Sequence, residues 1–442
     1  MPRRLSRPLA VSGGEPLVSA EQHVRWPVLG DEERAAVLGV LERGVLSGPF
    51  APEVRGLERE WASYLGSQHC ITTNSGTAAL HVALTAAGIG PGDQVIVPAF
   101  TFVATALAVL HAGAVPVFVD IEPRTLGMDP RLVERAITPN TRAVIPVHMH
   151  GTPCEIDAIA ELCRRHKLVL IEDAAQAHGA SHQGRKVGTF GALGCFSVQS
   201  SKNLPAGEGG LVVTDDAALW ERANRTRMFG EDVRTADDPD YRLERALDGN
   251  RAYDSLAMGW MYRTNELTAA IARVQLRKLD AFNAAAQRNA AALSKRLAKL
   301  PGVIPPVVPD GDTSCFHKYR VRLDAKARGI EAPATRVRDA VKKALVAEGV
   351  EAVLWQSKPV PAQGLFHDKA GFGGRSCPWD LGPPVDYDLA QYPESIRLLE
   401  SSIVLFSHTC PIAPQPLALV DAYADAFEQV WERLDEVVAA TG

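Results

Sequence analysis

The stretch Phe196-Ser197-Val198-Gln199-Ser200-Ser201-Lys202-Asn203-Leu204 decides how the chain is read. It follows the small, apolar run Gly191-Ala192-Leu193-Gly194-Cys195 and leads through Gly207-Glu208-Gly209-Gly210 into Leu211-Val212-Val213-Thr214. Both flanks read as core strands, which places Lys202 on the connection between them. A lysine among small and apolar neighbours is held partly neutral, because burial disfavours the ammonium form. A neutral amine attacks carbonyls and forms Schiff bases. A surface lysine in a loop has the same local sequence, so Lys202 gains meaning only from its company.

Working upstream, the apolar run Leu168-Val169-Leu170-Ile171 is followed directly by Glu172-Asp173-Ala174-Ala175-Gln176-Ala177-His178-Gly179. A carboxylate there is poorly solvated unless it faces a cation or a proton donor. Asp173 either caps a helix or pairs with a protonated ring nitrogen. His178 is expected to be a hydrogen-bonded packing residue, since nothing near it has metal-ligand spacing. Further upstream come Ala143–Val147, Val115–Val119, Gln94–Val97 and Cys70–Thr73, short runs rich in β-branched residues. Helical patterns lie between them at Phe102–Ala112, Asp129–Ile137 and Glu155–Arg165. This alternation predicts an α/β fold with a mostly parallel sheet covered by helices on both faces. In such sheets ligands bind at the carboxyl ends of the strands. Asn74-Ser75-Gly76-Thr77-Ala78-Ala79-Leu80 joins the first strand to a helix that Ser75 can cap. Such a turn also presents free backbone N–H groups and the positive end of a helix dipole, a ready site for a phosphate.

The outer parts of the chain are less specific. Residues 1–30 read as an N-terminal arm that needs a surface to become ordered. Helices are predicted at Glu32–Leu46 and Pro52–Leu65, within a large domain spanning 31–300. Arg234–Arg251 is charged and poor in large apolar residues, consistent with a mobile excursion. Asn265–Leu297 is a long helical pattern suited to bridging between domains. Leu300-Pro301-Gly302 then opens a smaller α+β domain, 301–442, with a strand at Lys318–Leu323 and helices at Ala334–Glu348 and Leu417–Leu434. The Gly-, Pro- and aromatic-rich segment Pro359–Pro393 is too long for a passive connection.

The 442 residues are 46% hydrophobic, enough to bury cores for two domains. The formal charge of −5, without a basic block, does not favour nucleic acid as a partner. Arg3 and Arg4 are not followed by a long apolar run, and no stretch reaches the length of a membrane span, so a cytoplasmic location without membrane association is expected. The seven cysteines are scattered without a CxxC pair, which argues against a disulfide framework and a structural metal.

Three features therefore share one sheet: an anion cradle at Gly76-Thr77, a carboxylate at Asp173, and an amine at Lys202 with Ser197 five residues before it. Pyridoxal phosphate asks for such a set. The order of these features resembles the fold-type I aminotransferases, with a seven-stranded sheet in the large domain. More closely, the sequence resembles the DegT/DnrJ/EryC1/StrS family of sugar and aminocyclitol aminotransferases. The resemblance is carried by Ser75-Gly76-Thr77, Pro98-Ala99-Phe100-Thr101-Phe102, Val119-Asp120, Glu172-Asp173-Ala174-Ala175-Gln176, Ser197, Lys202 and Gly207-Glu208-Gly209-Gly210. It implies that Gly76, Thr77 and Ser197 bind the cofactor phosphate, Phe102 stacks on the ring, and Asp173 holds the ring nitrogen protonated. It further implies that Gln176 bonds the ring hydroxyl and that Lys202 carries the aldehyde. A homodimer with the site at its interface is implied as well. The family often has Gly-x-Asn-Tyr-Arg where this chain has Gly259-Trp260-Met261-Tyr262-Arg263. Met261 cannot make an amide's hydrogen bonds, so Tyr262 and Arg263 are the candidates for the cross-subunit contribution, Arg263 as a cofactor-binding residue.

Within the family, Phe196–Gln199 with Lys202, Ala206–Gly210 and Ile403–His408 resemble the branch acting on inososes, which implies a keto-cyclitol acceptor and glutamine or glutamate as amino donor. The alternative is the branch acting on nucleotide-linked keto-sugars. Some relatives replace the lysine with histidine and deoxygenate their substrates; Lys202 argues against that. A non-catalytic regulator binding the same cofactor could lose Asp173 or Lys202 and keep its fold, so both being intact favours an enzyme. A nicotinamide-dependent oxidoreductase would need a GxGxxG turn after the first strand, and Gly188–Gly194 has the wrong spacing and precedes a strand.

Overall fold

The computed structural model describes residues 7–48, 51–231 and 254–440; the predicted excursion at Arg234–Arg251 lies outside them. Helices α1 (Asp31–Arg43) and α2 (Pro52–Leu65) precede the first strand. The large sheet is built from β1 (His69–Thr73), β2 (Gln94–Pro98), β3 (Val115–Val119), β4 (Thr141–Val144), β5 (Val169–Asp173), β8 (Leu193–Ser197) and β9 (Gly210–Thr214), with a small ribbon, β6 (Ser181–His182) and β7 (Arg185–Lys186), between β5 and β8. The spatial order is β1-β9-β8-β5-β4-β2-β3. Only β9 runs against its neighbours. The predicted seven-stranded, mostly parallel sheet is therefore present.

Alternation along the strands decides which helices cover which face. Ile71, Val97, Ile171, Cys195 and Val212 pack with α3 (Gly76–Ala86), α4 (Ala104–His111) and α7 (Ala217–Arg227). The residues between them face the other side: Cys70, Phe196 and Val213 pack on α2 and α8 (Glu266–Leu297), while Ile96, Val144 and Leu170 pack on α5 (Pro130–Ala136) and α6 (Ile156–His166). Several helices start later than the apolar pattern suggests because polar residues cap them: Asp129 accepts the Arg131 N–H, and Asn265 accepts the Thr268 N–H. Conversely, β5 runs on through Glu172 and Asp173, and β4 stops at Val144 rather than Val147.

A second sheet of four antiparallel strands follows: β10 (Val303–Ile304), β11 (Tyr319–Leu323), β12 (Ala352–Val353) and β13 (Ser402–Leu405), in the order β10-β11-β13-β12. Helices α9 (Ala334–Ala347), α10 (Pro393–Ser401), α11 (Leu417–Glu432) and α12 (Leu434–Ala440) accompany it. Helix α8 joins the two cores, burying Ala269, Ala272 and Leu279 in the first and Ala286, Ala290, Leu293 and Leu297 in the second.

Two segments lie where sequence alone did not place them. The arm finds its surface on the second core, where Leu9 and Val18 are buried and the Glu348 carboxylate accepts the Ala10 and Leu17 N–H groups. The Pro359–Pro393 segment returns to the first core with Val360, Phe366, Trp379, Tyr387 and Tyr392. The Tyr387 hydroxyl donates to the Pro116 carbonyl at 2.7 Å, so this segment covers the edge strand β3 and keeps it from pairing elsewhere.

Candidate active site

The carboxyl ends of β5 and β8 converge next to the start of α3. At the end of β5 two consecutive carboxylates point to opposite faces. Glu172 accepts hydrogen bonds from His148 Nε2 (3.0 Å) and from the N–H groups of Gly188, Phe190 and Gly191 (2.6–2.7 Å). Asp173 accepts from Thr105 Oγ1 at 2.8 Å and from the Ala175 N–H at 3.1 Å. Asp173 is 5% exposed, and burial raises its pKa against those two bonds. A carboxylate in that condition gains from a cation brought against it.

Lys202 occupies the tip of the connection between β8 and β9. The connection folds back on itself: Val198 N–H donates to Gly209, Ala206 N–H to Val198, Ser200 N–H to Gly207, and Lys202 N–H to Gln199. Gly207 takes a φ of +98°, which a side chain would disfavour. The Lys202 carbonyl accepts Trp26 Nε1–H from the arm at 3.1 Å, and Asn203 Nδ2 donates to the Cys315 carbonyl at 2.8 Å. The lysine is thus held from both sides. Burial pushes its amine down to about 8, with Asp173 the foremost charge acting the other way. A minor but reactive neutral fraction therefore exists near neutral pH.

At α3 the Ser75 hydroxyl accepts the Ala78 N–H at 3.0 Å and its carbonyl accepts the Ala79 N–H. The N–H groups of Gly76 and Thr77, in the first turn, have no partner in the helix. A Cβ on Gly76 would lie 2.7 Å from Ser197 Cβ and 3.2 Å from its Oγ. Only glycine lets the turn approach Ser197 this closely, and the result is a cradle of two N–H groups and a hydroxyl. Gln176 is buried, and its Oε1 accepts the His150 N–H at 3.1 Å, which leaves its Nε2 group as donor. Phe102 is 54% exposed and its carbonyl accepts from Thr105, the residue that holds Asp173.

Lys202, Asp173, Gln176, Ser197, Gly76, Thr77 and Phe102 therefore surround one strand-end region. Arg263 stands apart. Its run lies along the Asn74 turn, where Asn74 N–H donates to the Tyr262 carbonyl at 2.8 Å, and the Arg263 Nε donates to Met261 Sδ at 3.4 Å. His178 packs against Trp61 and Phe196, as expected of a packing residue. The one hydrogen-bonding group that acts on the ring among the described residues is the Ser197 backbone, and burial outweighs it and pushes the ring down to about 3. A fully buried imidazole in this setting stays neutral.

Sequence reading missed Thr105, which comes from α4 and reaches Asp173 only through folding. It also missed His150, although His148-Met149-His150 follows an apolar run directly, the rule that found Asp173.

The arrangement offers an anion cradle, a buried carboxylate in want of a cation, an amide donor and a partly neutral amine. This donor set fits pyridoxal phosphate. The model of the DegT/DnrJ/EryC1/StrS aminotransferase family matches residues 27–379. The L-glutamine:scyllo-inosose aminotransferase of Streptomyces griseus is 38% identical over 97% of this chain and 99% of its own length. An L-glutamine:2-deoxy-scyllo-inosose aminotransferase of Micromonospora echinospora is 42% identical over 72% of this chain and 75% of its own. The crystal structure of 3-amino-5-hydroxybenzoic acid synthase superposes with a TM-score of 0.78 at 31% identity, covering 93% of this chain and all of that one. The chain belongs to the DegT/DnrJ/EryC1/StrS aminotransferase family and is a pyridoxal-phosphate-dependent aminotransferase.

Proposed function

We propose that the protein moves the amino group of L-glutamine to a keto-cyclitol of the inosose type, in the making of an aminocyclitol. The observation that carries this reading is the likeness over nearly the whole chain to a relative named for that reaction. Bound pyridoxal phosphate supplies an electron sink for the carbon that bears the amine. The chain's own residues do the rest. The Gly76 and Thr77 N–H groups and the Ser197 hydroxyl hold the phosphate, and Phe102 covers the ring. Asp173, steadied by Thr105, keeps the ring nitrogen protonated, and Gln176 donates to the ring hydroxyl. Lys202 would hold the cofactor's aldehyde, and its amine would take the proton from the substrate carbon and return it at the neighbouring centre. Burial serves both duties, since a depressed pKa favours attack and proton abstraction near neutral pH.

The same reading places the cofactor in residues 31–300, with 301–442 as the smaller domain, 1–30 as an arm across it, and two copies of the chain sharing each site. Tyr262 and Arg263 are the residues it offers to the neighbouring copy. Among the described residues no helix is long and apolar enough to cross a membrane, in keeping with the proposed cytoplasmic location. The test is amino transfer from L-glutamine to scyllo-inosose and 2-deoxy-scyllo-inosose, run beside a nucleotide-linked keto-sugar. Turnover of the cyclitols at least tenfold faster supports the reading. Preference for the nucleotide-linked sugar overturns it.

A further inference from the structure

The N-terminal arm reaches the site as well, and none of the roles above uses it. Its course is set by polar stitches to the smaller domain. The Val24 N–H donates to Gln415 Oε1 at 2.9 Å, Gln415 Nε2 donates back to the Val24 carbonyl at 2.8 Å, and the Trp26 N–H donates to the Thr409 carbonyl at 2.8 Å. Gln415 is 1% exposed, so its bonds are shielded from competing water. They deliver the Trp26 indole, itself 8% exposed, edge-on to Phe282 of α8 with ring centroids 5.0 Å apart. An indole N–H is a donor that needs a partner once it is buried. Here the partner is the Lys202 carbonyl, at 3.1 Å.

Lys202 therefore makes one backbone bond within its own connection, from its N–H to Gln199, and the other to a distant part of the chain. Trp26, Phe282 and Phe316 line a cleft with Lys202 that holds about 10 Å³, at or below the room that one water needs. The indole thus fills space behind the lysine's backbone that solvent would otherwise take. Both effects matter to an amine that has to reach two carbon centres. A backbone free to shift misplaces the amine, and about 1 Å of misplacement costs on the order of a hundredfold in rate. Water admitted behind it weakens the burial that keeps part of the amine neutral. We propose that Trp26 is a positioning residue for the reaction, fixing the backbone of Lys202 from outside the domain that holds the cofactor. This rests on the aminotransferase reading and adds to it a link from the smaller domain, through residues 24–26, to the lysine.

Trp26→Phe keeps an aromatic ring in place and removes the N–H; Trp26→Ala removes the ring too. In the holoenzyme, the rate at which L-glutamine or L-glutamate, whichever is faster, bleaches the cofactor band should fall about tenfold in Trp26→Phe, with the half-saturating concentration within twofold. In a Lys202→Ala background, where added methylamine serves as the base, Trp26→Phe should change the rescued rate less than about twofold, because a residue that acts through Lys202 has nothing to act on there. In cofactor-free protein, methylation of Lys202 by formaldehyde and cyanoborohydride can be followed across pH by peptide mass. Its midpoint should lie near 8 in wild type. In Trp26→Ala it should lie about one unit higher, since an amine opened to water returns toward its ordinary value. An unchanged bleaching rate in Trp26→Phe overturns the proposal, and so does a methylation profile that stays in place in Trp26→Ala. A rescued rate that falls with Trp26→Phe as far as the unrescued one overturns it too, by marking general damage to the fold. None of these measurements needs a cyclitol, so a protein that prefers a nucleotide-linked sugar and still shows the three effects sinks the cyclitol reading and leaves Trp26 its role.

Discussion

Glu172 and Asp173 are neighbours in sequence, both buried from water, and opposite in use. On one face of the sheet Glu172 is saturated: four donors converge on its two oxygens, one of them His148 and three from the turn that leads into β8. On the other face Asp173 receives a hydroxyl and one N–H, and burial lifts its pKa. A saturated buried carboxylate locks a turn in place and has nothing left to offer a ligand. An unsaturated one is a vacancy for a cation. The same contrast separates the capped interior of α3 from its first two N–H groups. Spare hydrogen-bonding capacity in a buried place marks where this fold expects something else to bind.

Substitutions at the two positions break the comparison most directly. Asp173→Asn keeps the shape and removes the charge, and kcat should fall on the order of a hundredfold or more, as for loss of a preorganised electrostatic group. In the same variant the pH at which apo-protein takes up pyridoxal phosphate should shift. Wild-type uptake rises as the pH climbs through about 8, where the Lys202 amine becomes neutral. Asp173 is the foremost charge raising that value, so its loss should move the midpoint down. Glu172→Gln should do the reverse in kind: its amide cannot accept from all four donors, and stability should drop by about 3 kcal/mol in a urea titration, with turnover per folded molecule nearly kept. Activity lost without stability at Glu172 would erase the contrast.

Smaller effects sharpen it. Gly76→Ala places a methyl 2.7 Å from Ser197 Cβ and should force the cradle open. Affinity for pyridoxal phosphate, measured by fluorescence quenching, should weaken about tenfold, equivalent to about 1.4 kcal/mol. Thr105→Val removes one of the two bonds to Asp173 and should lower kcat about fivefold, within the worth of one hydrogen bond to a charged group. An equal loss in Thr105→Val and Asp173→Asn would mean that the hydroxyl, and not the carboxylate, meets the ring.

How much of this was legible in the sequence follows from what holds each residue. Lys202, Asp173 and Gly76 stand at strand ends, so local pattern places them at the mouth of the sheet. The seven strands were legible for the same reason, since each is a short apolar run set off by turns, loops or helix caps. Thr105 reaches Asp173, and Arg320 reaches His150, from elements whose own periodicity says nothing of where they dock. Arg320 in particular sits inside a run, Tyr319-Arg320-Val321-Arg322-Leu323, that reads as a half-exposed strand, yet it is buried because β13 and the His150 turn close over it. The length of the Pro359–Pro393 segment marked it as more than a passive connection; its aromatic residues carry a second signal, burial against β3.

The most direct test of the account is the visible spectrum of the purified protein with pyridoxal phosphate, before and after L-glutamine, for wild type and Lys202→Ala. The account predicts a yellow band in wild type that bleaches with glutamine and returns with an inosose, and a folded Lys202→Ala protein that neither forms the band through a protein amine nor turns over. A wild-type protein that stays colourless with added cofactor, or a Lys202→Ala protein that turns over at a near-normal rate, would contradict it.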